Sequence, residues 1–477
     1  MRLRLFFFFL LCLMALPVSA QEREDLLTFD AFLERVAQYH PQAQRANLLL
    51  QQADAEMRKA RGAFDPKLEG GLSQKVFEDK NYYRYVDGGI KWPTRLGGLE
   101  FKAGYEASSG INLNPEFSVP GNGLAQVGAS LPIGQGLLID PARAGFQQAT
   151  IGLEAAPIDR LNMLNNLLYE ASYAYWDWAE TAGRVSILVR ATQVAEDRLR
   201  WISNTAIAGD LPLIDTLKAS IQVQNRRLER DQALLELTQY RQLLQVYLWD
   251  EGAIPWQQGS DFAAQAPVSI AAEPPMAADS LAAMLMSIET QHPELLGLRY
   301  DLAWLDVERR MKAEKLKPKL NLEYAALNEP IFGTGGSVVD PSLFMDNYKW
   351  GFQVSFPLFL REARGDLGLT KVKIQDVQWK QEEKRQAILA KVGVYASQME
   401  VLFDQMQLSQ QNVSNYRQLL EAENNKFRAG ESSVFEINVW ETQLIESELK
   451  LLSLQAKYAK TQAALAWAAG QLANPMN

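Results

Sequence analysis

Few residues in this chain have the type and spacing that chemistry needs. There are two histidines, His40 and His292, and one cysteine, Cys12. Each histidine precedes a proline, where the backbone leaves the helical region, so shaping a bend is the role expected of both. Neither has the neighbours that metal ligation or acid–base work requires, and the 12 methionines are scattered, with no soft-metal track. No nucleophile–base set, phosphate loop or metal cluster can be read. An enzyme, a cofactor and a bound metal are therefore not expected. What remains is carboxylate chemistry. Asp215 and Glu436 each stand six residues after a glycine, Gly209 and Gly430, in the similar segments Ala208-Gly209-Asp210-Leu211-Pro212 and Arg428-Ala429-Gly430-Glu431-Ser432. Acids in a first helical turn are favoured by the helix dipole, and Ser433-x-x-Glu436 has the form of a capping box. Asp210 and Glu431 suit helix capping or surface contact, and glycine at such turns permits a positive φ.

The elements that must hold these residues occur twice. Residues 40–68 run from His40-Pro41 to Pro66-Lys67-Leu68, and about 252 residues later the pattern returns without a gap from His292-Pro293 to Pro318-Lys319-Leu320. Asp54, Glu56 and Arg58 fall on Asp306, Glu308 and Arg310. Such self-similarity means one structural unit used twice. The first repeat covers residues 21–250: two short helices, a β region at 66–132, and long helices over 141–249 broken at Gly209. In its first helix Phe29, Phe32, Leu33 and Val36 share one face. Residues 251–279, rich in Ala, Pro and Gln, read as a linker with little regular structure. The second repeat, 280–477, has the same order, with a β region at 318–357 and helices over 361–470 broken at Gly430.

Two seams follow coiled-coil spacing: Leu217, Ile221, Leu228 and Leu235, and Ile437, Trp440, Leu444, Leu451, Leu454 and Tyr458. Tyr169, Tyr173 and Trp176 form a stripe suited to helix packing. The β regions alternate apolar and polar residues, as in Leu99, Phe101, Ala103 and Tyr105, and in Ala125, Val127, Ala129 and Leu131. Residues 67–77 and 82–90 are weaker strand candidates. The cleanest strand places Tyr348, Trp350, Phe352, Val354 and Phe356 on one face, the pattern of a lipid-facing barrel strand.

The first 20 residues read as an export leader: Arg2 and Arg4, an apolar stretch, then Val18-Ser19-Ala20. Cys12 lies inside it, so a processed chain would have no thiol and no disulfide. The formal charge of -9 argues against nucleic acid as a partner. No later stretch qualifies as a membrane helix, so any crossing would use strands in a closed barrel, because open edges are not tolerated in lipid. Four to six strands cannot close alone, since about eight is the small end for barrels. Copies of the chain must then share one barrel, and a ring of their helices would enclose a tunnel.

At this point the residues resemble the TolC-like outer-membrane efflux protein family. The carriers are the duplicated His-Pro…Pro-Lys-Leu unit, Leu131-Pro132-Ile133 and Phe356-Pro357-Leu358 after the last strand of each half, Tyr173-Ala174-Tyr175-Trp176, and the two glycine tips. The resemblance implies an α+β membrane fold of duplicated helix–strand–helix repeats, with a long coiled-coil α-helical tunnel and a shared transmembrane β-barrel in a homotrimer. That barrel has twelve strands in the family, four per subunit; the extra material around 82–98 fits an added hairpin. The implied role is the outer-membrane duct of a tripartite efflux or export system in a Gram-negative bacterium, with most of the chain in the periplasm. Its implied partners are a periplasmic adaptor, an inner-membrane pump and outer-membrane lipid. Many family members carry a lipidated N-terminal cysteine, and no lipoprotein cleavage box precedes Cys12. The resemblance places Asp215 and Glu436 at the narrowed periplasmic end, where a ring of carboxylates would favour cations. Gly209, Asp210, Arg428, Gly430 and Glu431 become candidate adaptor contacts. Alternatives are a type I protein-secretion exit duct and, from a different class, a periplasmic coiled-coil adaptor or scaffold.

Overall fold

A computed structural model of the chain describes residues 27–115, 118–252, 254–256, 274–329 and 346–473. The expected leader, with Cys12, lies outside these residues, as does most of the expected linker. The chain divides into two compact units, one from residues 1–40, 170–275 and 398–463, the other from 41–169, 276–397 and 464–477. The long helices α3 (Pro141–Ile207) and α7 (Arg361–Arg428) contribute residues to both.

The first unit is helical. Helix α1 (Phe29–Tyr39) is capped by Thr28, whose hydroxyl accepts from the Ala31 N–H at 3.3 Å, and its Phe32, Leu33 and Val36 are buried. Against it lies an aromatic cluster from α3: Tyr175 is 5.3 Å from Phe32 and Trp176 is 4.9 Å from Phe29, centroid to centroid. The Tyr175 hydroxyl donates to the Leu27 carbonyl at 2.7 Å. Burial pushes that phenol well above its ordinary value.

Helix α4 (Leu213–Gln245) departs from the expected seam. Leu217, Ile221, Leu228 and Leu235 are 56%, 49%, 70% and 54% exposed, while Ala219, Val223, Arg226, Ala233, Leu237 and Leu244 are buried. The buried set also repeats at heptad spacing, so it takes the contact within the chain and leaves the four expected seam residues on the outer face. On α8 (Val434–Ala468) Ile437, Leu454 and Tyr458 of the expected seam are buried, and Trp440, Leu444 and Leu451 are half-buried. The start of the expected linker is also ordered. Trp249–Asp250 (β5) pairs with Ile254–Pro255 (β6), and Arg35 holds this hairpin through the Trp249 carbonyl at 3.2 Å, the Asp250 carboxylate and the Trp256 ring.

The second unit carries the sheet. Helices α2 (Pro41–Arg61), α5 (Ala278–Gln291) and α6 (Pro293–Glu314) belong to it, with strands β1 (Lys67–Phe77), β2 (Lys80–Pro93), β3 (Glu100–Ser109), β4 (Leu124–Pro132), β7 (Lys319–Asn328) and β8 (Tyr348–Ser355). All six strands form one antiparallel sheet in the order β1-β2-β3-β4-β7-β8. The family pattern of four strands per subunit is therefore exceeded. Residues 67–93 fold as a complete hairpin, turned at Glu78 and Asp79, whose φ values of 50° and 54° suit a two-residue connection.

Candidate functional site: glycine tips and a two-faced sheet

Both tips are built the same way. At the end of α3 the Asp210 N–H reaches the Thr205 carbonyl at 3.1 Å and the Gly209 N–H reaches Ala206 at 3.1 Å. At the end of α7 the Glu431 N–H reaches Lys426 at 2.9 Å and the Gly430 N–H reaches Phe427 at 3.0 Å. These are Schellman closures, which need a left-handed residue at the turn. Gly209 and Gly430 supply it, with φ of 89° and 79°. The two tips meet in one apolar cluster, Ile202, Ala219 and Val434 flanked by Leu199, Leu211 and Phe427. Trp201 stands edge-on to Phe427 at 5.5 Å. All five candidate contact residues, Gly209, Asp210, Arg428, Gly430 and Glu431, are exposed.

The two acids differ. The Asp215 carboxylate is partly covered and takes an ion pair from Lys218 at 2.9 Å, within the first turn of α4. Glu436 is exposed in the first turn of α8, where its N–H donates to the Ser433 hydroxyl at 3.4 Å. Ser433 thus makes the capping contact, and Glu436 keeps its carboxylate in solvent.

The tip region also holds charges that the sequence reading missed. Arg198 pairs with the buried Glu441 and donates to the Asn438 amide oxygen at 3.2 Å. Arg226, 4% exposed, reaches Glu229 at 2.8 Å and the Thr442 hydroxyl at 2.7 Å, and its backbone carbonyl accepts from Thr192 at 3.2 Å. The signal was present: Arg226 occupies a core position of the buried heptad of α4, where a charge must be paired or be costly.

The histidines act as bend residues. His40 closes α1 with φ -61° and ψ 135°, and His292 joins α5 to α6 with φ -67° and ψ 124°. His292 Nδ1 accepts from the Glu294 N–H at 3.2 Å, so Nε2 carries the proton that faces the Ala468 carbonyl at 3.2 Å. Burial pushes both imidazoles below their ordinary value, with smaller opposing effects from Val246 on His40 and from Glu294 on His292. Of the expected aromatic stripe, Tyr169 stacks on Trp467 at 4.3 Å and Trp176 packs against Phe29.

The ladder registers sort the sheet's side chains into two faces. One carries Leu68, Leu72, Ile90, Trp92, Phe101, Val127, Leu322, Tyr324, Trp350, Phe352 and Val354, which lie opposite one another strand by strand and are largely exposed. The other is charged and paired within itself: Lys91 to Glu69, Lys102 to Glu323 at 2.8 Å, and the Gln126 amide to Glu106 at 3.0 Å. A sheet apolar on one face and ion-paired on the other has the pattern of a barrel wall between lipid and water. Among the described residues no helix is long and apolar enough to cross a membrane, and no group of His, Cys, Asp and Glu could hold a metal.

A sheet with one apolar face, joined to long helices that end in paired glycine tips, is the arrangement these features define. A family model described as outer membrane efflux protein matches residues 312–471. The fold is similar to the Campylobacter jejuni CmeC outer membrane channel (TM-score 0.65, 12% identity, 93% of this chain, 86% of that one). It is also similar to the Vibrio cholerae outer membrane protein VceC (TM-score 0.63, 16% identity, 93% and 96%). The open-state Neisseria gonorrhoeae MtrE outer membrane channel matches at TM-score 0.65, with 14% identity over 93% and 89% of the two chains. Comparison with curated protein sequences returned no match. In fold the chain is similar to these solved outer-membrane channels over most of its length, and in sequence the match to the outer membrane efflux protein model is confined to residues 312–471.

Proposed function

We propose that this chain is the outer-membrane duct of a tripartite efflux system. Three copies would share one barrel in lipid and one helical tunnel in the periplasm, and the exposed tips would meet a periplasmic adaptor tied to an inner-membrane pump. The observation that carries this is the two-faced sheet. Its apolar face suits acyl chains, its ion-paired face suits water, and among the described residues its two outer strands have unpaired edges, which lipid does not tolerate. A periplasmic scaffold would leave that apolar face in water, which disfavours this alternative. The outward leucine stripe of α4 supports packing of one copy's helix against another's. Glu436 is the stronger of the two gate candidates, since Asp215 already has Lys218 beside it.

The test is single-channel recording of the purified protein in planar lipid. Discrete openings with a preference for cations are expected, and Glu436→Gln should reduce that preference more than Asp215→Asn does. A protein that extracts freely into buffer and gives no openings would overturn the duct. Openings whose selectivity is unchanged in the double variant would remove the gate role alone.

A further inference from the structure

We infer that the hairpin β1–β2 is part of the barrel wall, so that the barrel closes through a seam between β1 of one copy and β8 of the next and contains eighteen strands, three sheets of six. This rests on the homotrimeric duct proposed above and goes beyond it, because the resemblance implies four strands per subunit.

Four observations carry the inference. First, the hairpin continues the wall's two faces. Strand β2 pairs with β3 from Arg84↔Ser109 to Pro93↔Glu100, which places Ile90 beside Ala103 and Trp92 beside Phe101 on the apolar side. Leu68 then stands beside Ile90 and Leu72 beside Val86, while the Lys91–Glu69 ion pair lies on the polar side with Lys102 and Glu323. A hairpin folded over the outside of a barrel would have no need of this alternation. Second, the edges that remain belong to β1 and β8, the two strands whose every residue is exposed. Third, six is an even number. Strands alternate in direction across the sheet, so β1 and β8 run oppositely and the next copy's β1 meets β8 as an antiparallel neighbour. A second copy thus satisfies both edges, and β8 presents Tyr348, Trp350, Phe352 and Val354 beside the next copy's Leu68 and Leu72.

Fourth, the stagger fits closure. The hydrogen-bonded row that starts at Lys67, the first residue of β1, runs through Lys91, Lys102, Gly128 and Ala325 to Lys349, six residues short of the end of β8 at Ser355. A climb of six residues across five strand steps, at about 3.3 Å per residue and 4.8 Å per step, tilts the strands by roughly 40°. Closed barrels need about 35–45°. Barrel diameter grows nearly in proportion to strand number, so this wall would be about half again as wide as one of twelve strands.

Keeping each face continuous, and the climb at the same residue or so per step, restricts the seam register to the part of β1 roughly three residues from its start. Polar-side Gln353 must lie opposite a polar-side residue of the next copy's β1, which leaves Glu69 or Gly71 and excludes Gly70. Directly opposed antiparallel residues have Cα separations of about 4.5–5.5 Å, within disulfide range. The test uses the full chain in a Cys12→Ser background, purified in detergent and oxidised. Gln353→Cys combined with either Glu69→Cys or Gly71→Cys is expected to give a reducible covalent trimer in one of the two cases. Gln353→Cys with Gly70→Cys should stay monomeric on denaturing gels. A link from Gln353→Cys to Lys102→Cys on β3 would mean that the hairpin lies outside a twelve-stranded wall. That result, or no link at Glu69 or Gly71 in a protein that amine cross-linking holds as a trimer, overturns the wider wall and leaves the duct standing. A chain that amine cross-linking finds monomeric overturns both.

Discussion

At the scale of single residues, the buried polar groups are the informative ones, and only some could be read from the sequence. The two histidines could, because each sits before a proline and the duplication aligns them. Their tautomers could not, since the Ala468 carbonyl that faces His292 lies 176 residues away along the chain. Burial lowers the His292 pKa, so the folded state binds fewer protons than the unfolded state once pH falls below the ordinary imidazole value of about 6.5. The associated stability is held above that pH and is lost as pH falls towards the folded value. Thermal melts of the wild type between pH 7.5 and 5 should therefore show a fall that His292→Gln makes shallower. Equal slopes in the two proteins would assign the fall to other groups. Arg226 was legible in principle, as a charge in the buried heptad of α4, whereas the pairing of Arg198 on α3 with Glu441 joins residues 243 apart along the chain and has no local signal.

At the scale of elements, most helix and strand positions followed from periodicity and punctuation. Residues 67–77 and 82–90 were weak strand candidates because Gly70, Gly71, Gly88 and Gly89 dilute their alternation, yet they form a hairpin as regular as its neighbours. What fixes it is pairing with β3, a contact that local pattern does not contain. The glycine tips were legible, and the structure adds their geometry. A Cβ at Gly430 would meet nothing within 4 Å, so the cost of Gly430→Ala is the left-handed backbone alone, about 1 kcal/mol. Amide exchange at residues 426–431 should then speed up several-fold with little change in α1 or the sheet. An unchanged exchange rate would mean that the Schellman closure does not set local stability there. If the tips also dock an adaptor, the same substitution weakens capture without changing the trimer.

At the scale of the whole molecule, the decisive feature is apolar surface that one chain cannot cover. Leu217, Ile221, Leu228 and Leu235 line α4 at heptad spacing and all face outward, so they contribute little to the fold of a single copy. A sequence reading finds the seam but does not say whether its partner lies within the chain or in another copy; the buried heptad beside it takes the contact within the chain, which leaves these residues for the proposed trimer. Covering a leucine side chain is worth about 1.5–3 kcal/mol, and a cyclic trimer repeats each such contact three times. Leu228→Asp replaces one of these contacts with a charge that would be costly to bury. The helical content and folded fraction of the chain should stay near wild type, because the side chain is exposed in the isolated copy. The trimer fraction in detergent should fall at least tenfold at low protein concentration, as read by sedimentation or native mass spectrometry. Leu228→Met, which keeps volume and apolarity, should behave as wild type. An unchanged trimer in Leu228→Asp would show that this stripe faces water or another partner in the assembly, and the contact between copies would then have to lie elsewhere on the helices.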